Sequence, residues 1–326
     1  MNRRNILKSG IAFVGAAGLK NSNVVAEQNR GSFALDGNVI RFYHPAIKER
    51  FNITMLADTH LFKDDERGVP FQQFSGRMAK AYNQTIHFQT GAATNPEESF
   101  RKTLEIAKQD QSKLVALIGD IFSFPSEAAV EWVASQLKEA QLPHLYVTGN
   151  HDWHYEGMEG SSHSLRDTWT QKRLRPMYQN DHPLMTVREI NGVRFLALDN
   201  STYQITPEQL AFFRKEATTQ QPLVLMVHIP LYAPERSLGF GCGHPKWNAQ
   251  NDKNYQLERR ERWPETGHSQ TTMQFHKEVF SCPNLLGILA GHTHKPTLDV
   301  VNGIPQVITP PNATGGYLKV EGIPTL

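Results

Sequence analysis

Cysteine is scarce: Cys242 and Cys282 are the only two in 326 residues. One bridge is the most they can form, and no disulfide framework organises the chain. Whether they pair or stay as thiols is open at this level. Long hydrophobic runs are also missing. None reaches the roughly 18–20 residues that a membrane-spanning helix needs, which excludes an integral membrane protein of that kind. Charge of one sign is absent too, with Lys+Arg 34 against Asp+Glu 32. Four of the cations (Arg3, Arg4, Lys8, Lys20) sit in the first 26 residues, where there is no acid; the rest of the chain holds 30 cations against 32 acids. Such a body carries no global basic footprint for nucleic acid or anionic lipid. Internal repeats, low-complexity tracts and linkers are lacking as well. What remains is an ordinary globular composition, 39% hydrophobic and 20% charged, at a length that buries roughly 75% of the unfolded surface. One domain over residues 27–326 is expected.

Residues 1–26 have the three-part layout of an export signal: a basic start, a modest apolar stretch from Ile11 to Leu19, and small residues up to Ala26. The pair Arg3-Arg4 followed by Leu7-Lys8 resembles the bacterial twin-arginine signal, with Asn2 and Ile6 departing from the usual residues. The resemblance implies the twin-arginine export machinery as a partner, a periplasmic or secreted location, and no membrane anchor, since such signals are read by a receptor.

Past Ala26, short apolar runs alternate with helical patterns. Strands are expected at Asn52–Asp58, Leu114–Asp120, His144–Asn150, Val193–Asn200, Leu223–Ile229, Leu285–His292 and Gln306–Pro310. Most are near-continuously apolar, as strands covered on both faces are. Helix starts are readable at Asn95-Pro96-Glu97-Glu98 and Thr206-Pro207-Glu208-Gln209, each with a cap, an early proline and an acid or amide at the third position. A third helix is expected over Ser126–Ala140, with Val130, Val133 and Leu137 on one stripe. The fold class is α/β. Two polar stretches, at about 62–94 and 232–274, interrupt this pattern as insertions, and stretches of that length usually carry function or small elements of their own.

Polar residues recur where the strands end: Asp58-Thr59-His60, Gly119-Asp120, Gly149-Asn150-His151-Asp152, His228, and Gly291-His292-Thr293-His294. Open α/β sheets bind ligands outside the carboxyl ends of their strands, so these segments are expected to converge. Carboxylates, imidazoles and one amide oxygen form a mixed nitrogen and oxygen donor set suited to Mn, Fe or Zn. If Asp58-X-His60 and His292-X-His294 are extended, both members of each pair point to the same side. Glycine just before a ligand permits unusual backbone angles and close approach.

The order DxH, GD, GNHD, H, GHxH over residues 58–294 resembles the calcineurin-like metallophosphoesterase superfamily. The resemblance implies a four-layer α/β/β/α sandwich and two metal ions. Asp58, His60, Asp120 and His294 would hold one ion. Asp120 would bridge to the second, held with Asn150, His228 and His292. His151 would protonate the leaving group, with Asp152 orienting or polarising it. The ions would clamp the phosphoryl oxygens and acidify a bridging water for in-line attack on a small phosphoester substrate. Ser123 stands where purple acid phosphatases place a tyrosine. GNHD, with Phe124-Pro125, departs from the serine/threonine phosphatases. The pattern leans toward phosphodiesterases.

Other residues have plainer readings. His154 and His163 read as solvated loop residues, His244 and His268 as structural or exposed, and Asp64-Asp65-Glu66 as a solvated turn. Arg259-Arg260-Glu261-Arg262-Trp263 is either a salt-bridged helix end or a phosphate and base clamp. Two other functions compete: a non-catalytic metal or phosphate-ligand binding protein on the same fold, and an exported nuclease. The nuclease has only that cluster in its favour.

Overall fold

The computed structural model describes residues 31–81, 83–251 and 265–325. The export signal read in residues 1–26 and the Arg259–Trp263 cluster lie outside the described residues. In chain order the strands are β1 (Ser32–Asp36), β2 (Val39–His44), β3 (Phe51–Leu56), β4 (Val115–Ile118), β5 (His144–Val147), β6 (Met185–Ile190), β7 (Val193–Leu198), β8 (Leu223–Met226), β9 (Leu285–Ala290), β10 (Thr297–Val301), β11 (Ile304–Ile308) and β12 (Leu318–Pro324). They form two mixed sheets, ordered β1-β2-β12-β3-β4-β5 and β10-β11-β9-β8-β7-β6. In the first, β3, β4 and β5 run parallel. In the second, β7, β8, β9 and β11 do.

The continuous apolar runs follow from the layering. Ala116 and Ile118 of β4 face the second sheet, in a core shared with Phe195, Ala197, Val224 and Met226. Their neighbours Val115 and Leu117 face the opposite way, against Phe100, Leu104, Val130 and Val133 of two covering helices, Pro96–Gln109 and Glu127–Ala140. Likewise Leu223 and Leu225 of β8 pack on Leu210, Phe213, Phe275 and Val279 of helices Pro207–Ala217 and Gln270–Val279. Helix, sheet, sheet and helix therefore stack as the expected four-layer sandwich. Among the described residues no helix is long and apolar enough to cross a membrane.

The helix starts behave as their residue types dictate. Asn95 Oδ1 accepts from the Glu98 N–H at 2.9 Å. Thr206 and Gln209 form a reciprocal capping box, and Ser126 caps Glu127–Ala140 from just outside it. The strands differ from expectation in one systematic way. The runs that lead to site residues stop one or two residues before the first polar position. Beyond three of these stops, after β3, β4 and β9, the backbone turns into the left-handed region, at Asp58 (φ 57°), His60 (φ 50°), Asp120 (φ 50°), His292 (φ 73°) and His294 (φ 56°). The extended-chain argument for the Asp58/His60 and His292/His294 pairs is thereby corrected: a tight turn, not strand alternation, aims both side chains of each pair. β1, β2, β6, β10 and β12 went unannounced because they are half-exposed or carry charge, as in Leu318-Lys319-Val320-Glu321.

Neither polar stretch is structureless. The first contains a 3₁₀ turn (Glu66–Phe71) and a helix (Gln72–Ala81). Arg67 ties it to the body through Glu127 at 3.0 Å and Glu131 at 2.6 Å. Asp65 caps the 3₁₀ turn, and Asp64 accepts from Ser126 Oγ at 3.1 Å. The second holds a short 3₁₀ turn, Leu238–Phe240. Cys242 and Cys282 are separate buried thiols.

Glu321, buried on β12, accepts from Arg41 Nε at 2.9 Å and Arg50 Nη2 at 3.1 Å. Burial works to raise its pKa, but hydrogen bonds from Arg50 and Arg41 and the charge of Lys319 prevail and hold it below the ordinary carboxylate range. Its pairing therefore stabilises the fold at neutral pH and is lost as pH falls through the folded-state pKa. Glu321→Gln is expected to lower stability at pH 7 by about 1–2 kcal/mol. In denaturant titrations, the gap from wild type should close on acidification below about pH 4.

Candidate metal centre

The turns at the strand ends bring side chains from five segments to one place. Left-handed backbone at a non-glycine residue costs of order 1 kcal/mol or more. Here it is held by cross-loop hydrogen bonds: Asp58 N–H to Gly119 O at 3.1 Å, His60 N–H to Asp120 O at 2.9 Å, and Gly291 N–H to His228 O at 3.0 Å. Two glycines are required by proximity. A Cβ on Gly149 would fall 2.2 Å from both the nitrogen and Oδ1 of Asp120. One on Gly119 would fall 2.4 Å from Nδ1 of His228.

The donor atoms gather in three overlapping groups, Asp58/His60/His294, His60/Asp120/His151 and Asp120/His228/His292, with all atoms of each group within 4.8 Å of one another. His294 Nε2 lies 3.3 Å from Asp58 Oδ1 and 3.0 Å from His60 Nε2. His228 Nε2 lies 3.1 Å from Asp120 Oδ2, and His292 Nδ1 lies 3.1 Å from Asn150 Oδ1. Eight of the residues singled out from the strand-end motifs, Asp58, His60, Asp120, Asn150, His151, His228, His292 and His294, are thus brought together. Asp58, His60, Asp120, Asn150, His151, Asp152 and His228 are buried, while His292 and His294 form the partly open side.

A metal fits this donor set better than a hydrogen-bond network does. Two imidazole nitrogens at 3.0 Å satisfy one another only if one keeps its proton. A shared cation lets both present lone pairs. Two carboxylates this deeply buried also require positive charge nearby. The neighbouring His228 and His294 imidazoles respond to that demand by favouring their protonated form. Burial pulls the His228 pKa down, but Asp120 and Asp58 drive it up to about 10. His294 is raised in the same way by Asp58. Asp120 is held well below the carboxylate range, because His228 and His151 outweigh its burial. His60 is lowered by burial and by the neighbouring His151. Ligating imidazoles must be neutral, so a bound metal would take the place of those protons. The donor sets suit a dinuclear centre, with Asp120 common to two groups.

Asp152 is hydrogen-bonded through both carboxylate oxygens to backbone amides. Its Oδ1 accepts from Phe122 N–H at 2.8 Å and its Oδ2 from Gly149 N–H at 2.7 Å. It ties the loop after β4 to the loop after β5. Burial and the charge of Asp120 push its pKa up to about 7. Sequence reasoning missed Asn200 and Tyr203. Asn200 clamps the backbone next to His228, accepting from Ile229 N–H at 3.0 Å and donating to Ile229 O at 2.6 Å. Tyr203 Oη lies 2.8 Å from His292 Nε2. The signal was present, since Asp199 to Tyr203 is one more polar run at a strand's carboxyl end. His154 is buried beside Trp153, which corrects its reading as a solvated residue. His163 is exposed. His244 packs on Tyr232 and His268 on Trp247, each with ring centroids 4.2 Å apart.

The sequence model of the calcineurin-like phosphoesterase family matches residues 51–296. A curated relative from Moraxella catarrhalis, named a probable cyclic nucleotide phosphodiesterase, is 29% identical over 106 residues. The aligned stretch is 32% of this chain and 29% of that relative's length. A dimetal phosphatase structure from Danio rerio superposes with a TM-score of 0.51 at 11% identity, covering 82% of this chain and 91% of that one. A purple acid phosphatase from yellow lupin gives 0.45 at 13% identity, covering 85% and 47%. The family match extends over more than half of the sequence, and the chain belongs to the calcineurin-like phosphoesterases.

Gly149→Ala is expected to push the Asp120 loop away and weaken metal binding by roughly 10–100-fold, as loss of supporting contacts around a metal does. Equilibrium dialysis with elemental analysis measures this. Wild-type affinity in the variant would mean that the close approach at Gly149 is dispensable.

Proposed function

From the premise that the chain is a calcineurin-like phosphoesterase, we propose that it is an exported enzyme that hydrolyses phosphodiesters in preference to phosphomonoesters. Asp58, His60, Asp120 and His294 would hold one metal ion, and Asp120, Asn150, His228 and His292 would hold the second. The observation that carries this reading is the shared position of Asp120, whose carboxylate belongs to both the His60 and the His228/His292 groups. When bound, the two ions supply Lewis acidity toward the phosphoryl oxygens and acidify the attacking water.

The protein's own groups do the rest. His151 carries the proton for the departing oxygen. Its ring packs edge-on against His60 at 4.8 Å, and its backbone N–H donates to Asp120 Oδ1 at 2.7 Å, which places it beside that carboxylate. Asp152 is a positioning residue that acts through the Gly149 and Phe122 amides. The insertions at about 62–94 and 232–274 select the substrate within a single domain spanning 27–326. The diester preference draws support from GNHD in place of the protein-phosphatase pattern, and from the partial similarity to a probable cyclic nucleotide phosphodiesterase. Residues 1–26, read as a twin-arginine-like signal, would direct the chain to the periplasm or outside.

The test is hydrolysis of a bis-aryl phosphodiester and the matching aryl monoester by the chain loaded with Mn, Fe or Zn in turn. The diester is expected to turn over faster. His151→Ala should lower kcat by about 10²–10⁴-fold with metal content retained. Asp120→Asn should abolish turnover, and hydrolysis that survives in that variant would contradict the reading.

A further inference from the structure

The metal cluster opens on the His60/His294 side into a cavity of about 310 Å³. Its walls are Phe88, Pro296, Pro310, Pro311 and Ala313, with Gln84 and Thr314 as its polar members. Among the described residues no Lys, Arg, Asp or Glu lines it.

This cavity has a rigid floor fastened to the metal loop. The 3₁₀ turn Asn312–Thr314 donates from Asn312 N–H to Ala57 O and from Ala313 N–H to Asp58 O, both at 2.9 Å. Thr59 Oγ1 donates to Asn312 Oδ1 at 3.0 Å. One wall is a small hairpin from the first insertion. His87 N–H donates to Ala92 O at 2.8 Å, and Thr94 N–H to Thr85 O at 2.9 Å. Phe88 N–H donates to Thr314 O at 3.1 Å, docking the hairpin on the floor. A Cβ on Gly315 would come within 2.3 Å of the His87 ring, so nothing larger than glycine permits this docking.

The hairpin then holds two large apolar side chains in solvent, Ile86 at 56% exposure and Phe88 at 44%. Single exposed apolar residues need no explanation. Two on one braced hairpin, at the rim of a cavity whose other end is the metal cluster, are the arrangement of a binding pocket: apolar walls with a few polar groups at the edges.

We propose that this cavity is the subsite for the organic substituent of the phosphoester, and that it takes an uncharged flat ring, aryl or nucleobase. The inference rests on the phosphoesterase reading above. Flat proline and phenylalanine faces match ring faces. A charged substituent would lose its hydration with no opposite charge to meet it. Gln84 and Thr314 offer hydrogen-bonding groups to a ring edge. Phe88 is the stacking face.

The test compares phenylphosphonate with methylphosphonate by titration calorimetry on the metal-loaded chain. Both carry the same anion, and only the ring differs. Phenylphosphonate is expected to bind about ten-fold more tightly, from burial of the ring. In Phe88→Ala the ratio should fall to roughly two- or three-fold, with metal content unchanged. Phe88→Leu, which keeps apolar area without the flat face, should fall between. Adenosine 5′-phosphate distinguishes the two sources of the ring. If Gln84→Ala weakens it and leaves phenylphosphonate alone, the ring is a base; if it weakens neither, the ring is a plain aryl group. Equal affinities in wild type, or an unchanged ratio in Phe88→Ala, would overturn the subsite. Failure of the two readings is separable. Ring preference without hydrolysis of any phosphoester contradicts the proposed function alone, and hydrolysis without ring preference contradicts the subsite alone.

Discussion

A carboxylate exposed to only 1% of its surface, Asp120, sits where the two halves of the sandwich meet at their carboxyl ends. Its charge cannot remain there alone, and much of the surrounding structure answers that constraint. His228 comes to it from the second sheet, and the His151 amide from the adjoining loop of the first. Gly149 is bare so that the neighbouring turn can press against it. The centre thereby holds the two sheets in register at one end, while the inter-sheet core of Phe195, Met226 and their neighbours holds them along their length.

The centre is rigid for reasons that lie in the backbone. Five of the clustered residues, Asp58, His60, Asp120, His292 and His294, occupy left-handed turns that a free chain would seldom visit, and loop-to-loop hydrogen bonds brace those turns. Asp152, Asn200 and Asn312 serve that purpose without being donors in the cluster. Each satisfies backbone groups of a neighbouring loop, and each is buried. By contrast, the rim of the centre is built from segments outside the layers, above all the hairpin that carries Phe88. On the proposed reading, chemistry and selectivity fall to different parts of the chain, as in other folds where loops carry specificity.

Much of this was legible in the sequence. Runs such as Leu114–Ile118 and Leu223–Val227 announced strands covered on both faces, and Asn95 and Thr206 announced their helices through capping chemistry. The strand-end polar residues announced a convergent site because open α/β sheets place ligands there. What escaped notice has identifiable causes. Glu321 hid a central strand, since a buried carboxylate paired with Arg41 and Arg50 reads as surface charge until its partners are seen. The turns after β3 and β9 read as continued strand because apolar residues run up to the ligands, and left-handed conformation leaves no trace when the residue is Asp or His. Tyr203 reaches His292 from a strand end that was recognised, yet its polar run resembled none of the other five. The Phe88 pocket could not be read at all, because its floor and wall are more than 200 residues apart in the chain.

The central claim is that one carboxylate, Asp120, joins two metal sites into a single centre. Electron paramagnetic resonance of the chain loaded with manganese(II) tests it directly. If Asp120 bridges, the spectrum will show an exchange-coupled pair of ions, and Asp120→Asn will lose that coupled signal. Two independent six-line signals in the wild-type chain, or coupling that survives in Asp120→Asn, would contradict the account.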